Sequence, residues 1–151
     1  MSQLDKQLLL SQVREGDRQA LAKAITIIES FAQSFNISET LTTAQVIGVT
    51  GAPGVGKSTT VDALIKLLRQ KNFSVAVLAV DPSSPISGGA LLGDRIRLSN
   101  HFTDPKVFIR SLATRGHLGG LSVSTKAILD LIQVAKFDYI IVETVGVGQS
   151  E

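Results

Sequence analysis

The sequence predicts an α/β fold: a doubly wound, mostly parallel sheet preceded by a helical extension. Three observations predict it. Apolar runs and amphipathic stretches alternate from about residue 45 onward, the pattern of β-α-β units. The clearest apolar run, Ser74-Val75-Ala76-Val77-Leu78-Ala79-Val80, carries no charge and so reads as a strand buried on both faces. Between the first apolar run and the first amphipathic stretch lies a glycine-rich loop, Gly51 to Ser58, that can turn a strand sharply into a helix. Right-handed crossovers leave the carboxyl ends of all such strands on one side, and ligands of open parallel sheets sit there.

Residues 1–42 are expected to form a helical segment and residues 43–151 the sheet domain. Leu4, Leu8 and Leu9 make a first apolar stripe, and Gly16-Asp17 reads as a helix stop followed by an N-cap. Ala20, Leu21, Ala24, Ile25, Ile28, Phe31, Ala32 and Phe35 then recur at steps of three and four, a second helix with one core-facing side. Asn36 to Ala44 is polar and threonine-rich, a connector into the strand Val46–Val49. After the glycine-rich loop, Val61, Leu64, Ile65 and Leu68 keep helical spacing between polar Asp62, Lys66 and Arg69. The run from Ser74 to Val80 ends at Asp81-Pro82-Ser83-Ser84-Pro85, where two prolines forbid regular structure. Residues 86–102 are mixed, with a short helix expected at Asp94–Asn100. A third strand is expected at Val107–Leu112, then a second glycine-rich loop at Thr114–Gly120, a helix from Leu121 to Lys136, and a buried strand Phe137–Val142 that ends at Glu143.

Composition narrows the function classes. The chain has 151 residues, 44% hydrophobic and 19% charged, which suits one sizeable core. A net charge of +2, dispersed along the chain, gives no footprint for nucleic acid. No apolar run approaches the roughly 20 residues of a membrane span. There is no cysteine for disulfides or thiolate metal sites, and the amino terminus has no basic start followed by an apolar block, so a cytoplasmic protein is expected.

The loop carries the chemistry. Gly51 to Ser58 fits G-x-x-x-x-G-K-[ST], the phosphate-binding P-loop. A chance glycine-rich turn with a solvated lysine would match the string but not its setting between strand and helix. The candidate binding residues are therefore Gly51, Ala52, Pro53, Gly54, Val55, Gly56, Lys57, Ser58 and Thr59. Glycines let successive backbone N–H groups converge, and the helix that follows adds its positive end to the same anion site. Lys57 is the candidate for holding β- and γ-phosphate oxygens, and the Ser58 hydroxyl for ligating Mg²⁺. A nucleoside triphosphate also needs a carboxylate for its Mg²⁺ from a neighbouring strand end, and Asp81 and Glu143 are so placed. Asp94 is a third candidate, which from the residues alone reads equally well as a solvated loop acid. Glu143-Thr144-Val145-Gly146 has the form of the D-x-x-G motif of G proteins with Glu for Asp, where the Gly146 N–H can meet a γ-phosphate. Val147 stands where Ras-like proteins place a water-orienting glutamine, which predicts either slow intrinsic turnover or help from another residue or a partner. Arg95, Arg97, Arg110, Arg115 and His117 read as ordinary surface or loop residues.

Taken together, Gly51–Thr59, Asp81-Pro82-Ser83-Ser84-Pro85, Gly93-Asp94-Arg95, Thr114–Gly120 and Glu143–Glu151 resemble the ArgK/MeaB family of P-loop GTPases, over essentially the whole chain. The resemblance implies a Mg²⁺-dependent GTPase that binds GTP and GDP, dimerises, and chaperones an adenosylcobalamin-dependent acyl-CoA mutase of the methylmalonyl-CoA mutase type. It also implies that Lys57 and Glu143 are catalytic, that Asp81 and Asp94 belong to a switch reaching the metal, and that Glu143 belongs to the switch after it. Against that family pattern the G domain is incomplete at its carboxyl end: the guanine-reading N-K-x-D motif and the dimerisation arm are expected beyond Glu151. The alternatives are an ATP-dependent kinase or ATPase linked to lysine/arginine/ornithine transport, or a nucleotide-sensing module that does not hydrolyse.

Overall fold

The computed structural model describes residues 1–31, 34–37, 44–52, 54–81, 97–113 and 123–145. In chain order the elements are α1 (Gln3–Arg14), α2 (Arg18–Phe31), β1 (Gln45–Gly51), α3 (Lys57–Gln70), β2 (Val75–Asp81), a 3-10 turn (Ser99–His101), β3 (Val107–Ala113), α4 (Val123–Gln133) and β4 (Tyr139–Val145). They divide into two compact units, Met1–Ala44 with Leu121–Phe137 and Gln45–Gly120 with Asp138–Glu151.

The first unit is helical. Ser2 caps α1 through a capping box: its hydroxyl accepts from the Asp5 N–H at 3.1 Å while the Asp5 carboxylate accepts from the Ser2 N–H at 3.0 Å. The face that packs differs from the expected one. Leu9, Leu10 and Val13 are buried, whereas Leu4 and Leu8 are 74% and 62% exposed. Three consecutive leucines, Leu8 to Leu10, let a 3.6-residue period be drawn in more than one phase, and packing against α2 selects the phase one residue further on. Gly16 sits at φ +91°, open to glycine without strain, and Asp17 Oδ1 then accepts from the N–H groups of Gln19 and Ala20 at 2.9 and 3.0 Å, the expected stop and cap. α2 buries Ala20, Leu21, Ala24, Ile25 and Ile28. Arg18 lies over the Phe137 ring at 3.6 Å and donates to the Ala135 carbonyl at 3.0 Å. Burial pulls its guanidinium below the ordinary arginine range.

The second unit is the parallel sheet with α3. Spatial order is β1-β4-β2-β3, every pair parallel. The chain lays down β1, then β2 and β3, and returns to insert β4 between β1 and β2. β2 is buried along six of its seven residues, and Ile140 to Glu143 of β4 are buried as well. Period-2 alternation sends Val75, Val77, Ile141, Val49 and Ile109 to one face, where α3 covers them with Val61, Ile65 and Leu68. Those among them that are fully buried, Val61, Ile65, Val75, Val77 and Ile141, contribute roughly 1.5–3 kcal/mol each. At the amino ends of the central strands, the Ser74 N–H donates to the Asp138 carboxylate at 2.7 Å and the Asp138 N–H donates to the Ser74 hydroxyl at 3.0 Å. This reciprocal pair fixes the register of β2 on β4.

Two side-chain contacts, one to His101 and one ion pair to Asp104, join α3 to the chain between β2 and β3. Asp62 accepts from Lys66 and from His101, each at 2.7 Å, and Arg69 Nε donates to Asp104 at 2.7 Å. Hydrogen bonds from Lys66 and then His101 hold the Asp62 carboxyl below its ordinary 3.8, and the one from Arg69 does the same for Asp104. Because the folded-state values are depressed, this stabilisation is complete above 3.8 and is lost as pH falls through the lowered values. Asp104→Asn should therefore leave stability at neutral pH little changed in its pH slope and flatten the slope below about pH 4, as read by urea unfolding across an acid series.

Candidate phosphate and metal site

The site is built at the carboxyl end of the sheet. β1 ends at Gly51, and the loop reaches α3 at Lys57. Gly54 and Gly56 hold φ of +80° and +97°, a region that L side chains rarely enter. That backbone turns the chain into α3 with Gly56 as an N-cap that offers no side chain. Gly56 therefore brings no side chain to the first-turn N–H groups of α3, and no acidic residue stands in that turn to compete with a phosphate. Among the described residues, its chain neighbours aside, no atom lies within 4 Å of a Cβ built on Gly56, so the obstacle seen there is φ. Gly56→Ala should destabilise the protein by about 1–2 kcal/mol in chemical unfolding, through backbone strain alone. Gly51 is constrained differently, since a Cβ there would stand 2.9 Å from Val55 Cγ2.

Lys57 is folded across its own loop. Its Nζ donates to the carbonyls of Gly51 at 2.9 Å and Ala52 at 3.0 Å. An ammonium has three donors, so two carbonyls aim it and leave one proton for an anion. Ser58, the next residue, is 6% exposed on the sheet side of α3.

β4 delivers Glu143 beside this loop. The expected strand ended at Glu143; the observed one runs to Val145, so Glu143 lies inside β4, opposite Val49 on one side and Ala79 on the other. It is 6% exposed, an unusual place for a carboxylate. Its register row puts it on the α3-covered face, two residues beyond Ile141. Asp81, two residues beyond Ala79, continues the same face at the end of β2. Adjacent strands lie about 4.8 Å apart, which places the two acids across neighbouring strands on the side that carries Ser58. Among the described residues no group of three or more His, Cys, Asp or Glu can hold a metal by itself. A hydroxyl and one or two carboxylates do suit Mg²⁺, a hard cation that completes its shell with phosphate oxygens and water. Thr59, exposed on the first turn of α3, follows Ser58. Pro53, Asp94 and Gly146 lie outside the described residues, as do Val147 and the loop at 114–120. In the sequence Asp62 reads as a polar helix residue and His101 carries no motif; their contact spans 39 positions and leaves no local signal.

A family model described as "Methylmalonyl Co-A mutase-associated GTPase MeaB" matches residues 21–151. A Pyrococcus horikoshii protein whose name describes it as a GTPase is 50% identical over 148 residues, covering 95% of this chain and 47% of its own length. A fused isobutyryl-CoA mutase of Cupriavidus metallidurans is 40% identical over 151 residues, covering 94% of this chain and 14% of its own length. A solved structure described as an LAO/AO transport system kinase superposes with a TM-score of 0.70 at 31% identity, over 100% of this chain and 46% of that one. The chain spans about half the length of the curated GTPase relatives it matches. No described helix is long and apolar enough to cross a membrane.

Proposed function

Because the chain belongs to the MeaB family of methylmalonyl-CoA mutase-associated GTPases, we propose that it is the nucleotide-binding part of a Mg²⁺-dependent GTPase that chaperones an adenosylcobalamin-dependent acyl-CoA mutase. The observation that carries this reading is the convergence of a P-loop, with its lysine aimed by two loop carbonyls, and a buried glutamate on the adjacent strand. Nucleotide binding is assigned to residues 43–151 and the preceding segment, residues 1–42, is the helical extension. The loop from Gly51 to Thr59 encloses the phosphates of GTP or GDP, and Lys57 bears charge on the β- and γ-phosphates. Ser58, Asp81, Asp94 and Glu143 are the oxygen donors that would hold Mg²⁺, which when bound neutralises charge on the phosphate oxygens. Water attacks the γ-phosphorus in line, the bond to the β-phosphate oxygen breaks, and GDP and phosphate leave. The Gly146 N–H meets the γ-phosphate and reports its loss. With Val147 where a water-orienting glutamine would stand, the chain turns over slowly alone and the mutase partner supplies the missing help. The fused isobutyryl-CoA mutase relative supports that partner class, since there a segment like this one and a mutase share one polypeptide. In the cell the protein is placed in the cytoplasm, as a homodimer.

A second reading follows from the description of the solved neighbour as a transport system kinase: ATP, not GTP, is the substrate. Competition against labelled GDP separates the two. GTP should displace it at concentrations where ATP does not, and an adenosylcobalamin-dependent acyl-CoA mutase should raise the single-turnover rate of GTP hydrolysis. Displacement by ATP alone would favour the kinase reading, and an unchanged rate would reject the mutase as partner.

A further inference from the structure

The flank of α3 that begins at Ser58 continues through Asp62, Lys66 and Arg69, at helical steps of four, four and three. Two of these residues grip one short piece of chain. Asp62 Oδ1 meets His101 Nε2 at 2.7 Å, and Arg69 Nε donates to Asp104 Oδ2 at 2.7 Å. The His101 ring is nearly buried, at 8% exposure for the residue, and Leu98 beside it is sealed into the core against Val61, Ile65 and Leu68. The Asp104 N–H donates to the His101 carbonyl at 3.1 Å, so the turn is also closed on itself. An ionised carboxylate only accepts, which requires the proton of this contact on His101 Nε2.

We propose that His101, acting through Asp62, is a positioning residue for the magnesium–nucleotide site: it fixes the rotation of α3 about its own axis and hence the place of the Ser58 hydroxyl. The inference rests on the nucleotide reading above. Apolar packing holds α3 on the sheet but is non-directional, so Val61, Ile65 and Leu68 permit a small roll. A short hydrogen bond to a charged acceptor is directional and resists it. The geometry makes the roll matter. A side-chain oxygen about 3–4 Å from the helix axis moves by roughly 0.6 Å for a roll of about 10°, which is the tolerance within which functional groups must be held. Asp62 is four residues, about 6 Å of helix rise, from Ser58, whereas Arg69 grips the far end of the helix. His101 therefore controls the end that matters.

The test compares affinity for GTP with saturating Mg²⁺ and with EDTA in the full-length protein, for wild type and for His101→Ala, His101→Gln, Asp62→Asn and Lys66→Ala. The ratio of the two affinities reads the metal ligand and not the phosphate loop. His101→Ala should lower that ratio about tenfold, and His101→Gln, whose amide N–H reaches the same carboxylate, should restore it. Asp62→Asn, which keeps the shape and weakens the acceptor, should lower the ratio to an intermediate value and keeps the test alive if the alanine variant does not fold. Lys66→Ala should match wild type. A ratio unchanged in both His101→Ala and Asp62→Asn, whatever happens to their melting temperatures, makes the contact merely structural and overturns the proposal. A wild-type protein that binds no nucleotide with Mg²⁺ overturns the nucleotide reading and the inference with it.

Discussion

Lys57→Ala is expected to weaken GTP binding and slow single-turnover hydrolysis by about 10²–10³-fold, with little change in melting temperature. The magnitude follows from what the side chain does. Its ammonium is held by two loop carbonyls at 2.9 and 3.0 Å, which fixes its place in the loop and uses two of its three donors. A donor preorganised in this way costs no reorientation when phosphate charge grows in the transition state. Hydrogen bonds from charged donors are worth about 1.5–3 kcal/mol, and this one acts where the loop N–H groups act too. The fold should tolerate the loss, because Gly51 and Ala52 are only half-buried and water can replace the ammonium at their carbonyls. Lys57→Arg should not rescue. A planar fork of five donors cannot sit as a compact charge between two carbonyls that converge on one point. Isothermal titration with GTP, alongside thermal unfolding, measures both sides. Equal affinity in wild type and Lys57→Ala would remove the P-loop from the function.

How far the site was legible in the sequence depended on how local each part is. The loop was readable because its geometry is set within eight residues: glycine where φ is positive, lysine and serine at the mouth of a helix. The alternation of strands and helices was readable for the same reason, since each element carries its own period. The order of strands was not. The insertion of β4 between β1 and β2 is decided by packing across the whole unit, and it alone makes Glu143 a neighbour of the P-loop strand. Glu143 was expected at a strand end because a charge there is cheap. The strand instead continues through it, since pairing on both sides satisfies the backbone whatever the side chain costs. α1 shows the opposite weakness, where Leu8, Leu9 and Leu10 carry hydrophobicity without phase. The Asp62–His101 contact was illegible because neither residue predicts the other.

Glu143→Gln should separate function from stability most sharply. The substitution keeps the volume of a 6%-exposed side chain between Val49 and Ala79, so the sheet has no cavity to absorb. What it removes is a carboxylate, a group able to carry negative charge, from the α3-covered face next to the P-loop strand. A buried carboxylate is expensive to keep ionised, and a structural role would be served as well by a neutral amide. A role in holding a divalent cation would not, because an amide oxygen carries no formal charge to balance the metal. Mg²⁺-dependent GTP turnover is therefore expected to fall by about 10²-fold, with the Mg²⁺ concentration needed for half-maximal rate rising. GTP affinity in EDTA and the midpoint of urea unfolding should stay close to wild type. Ser58→Ala, which removes a neutral ligand and no charge, should show the same shift in Mg²⁺ requirement and a smaller loss of rate. If Glu143→Gln instead lowers the unfolding midpoint while turnover and Mg²⁺ requirement hold, the buried carboxylate is a structural group, and the metal must be held from elsewhere.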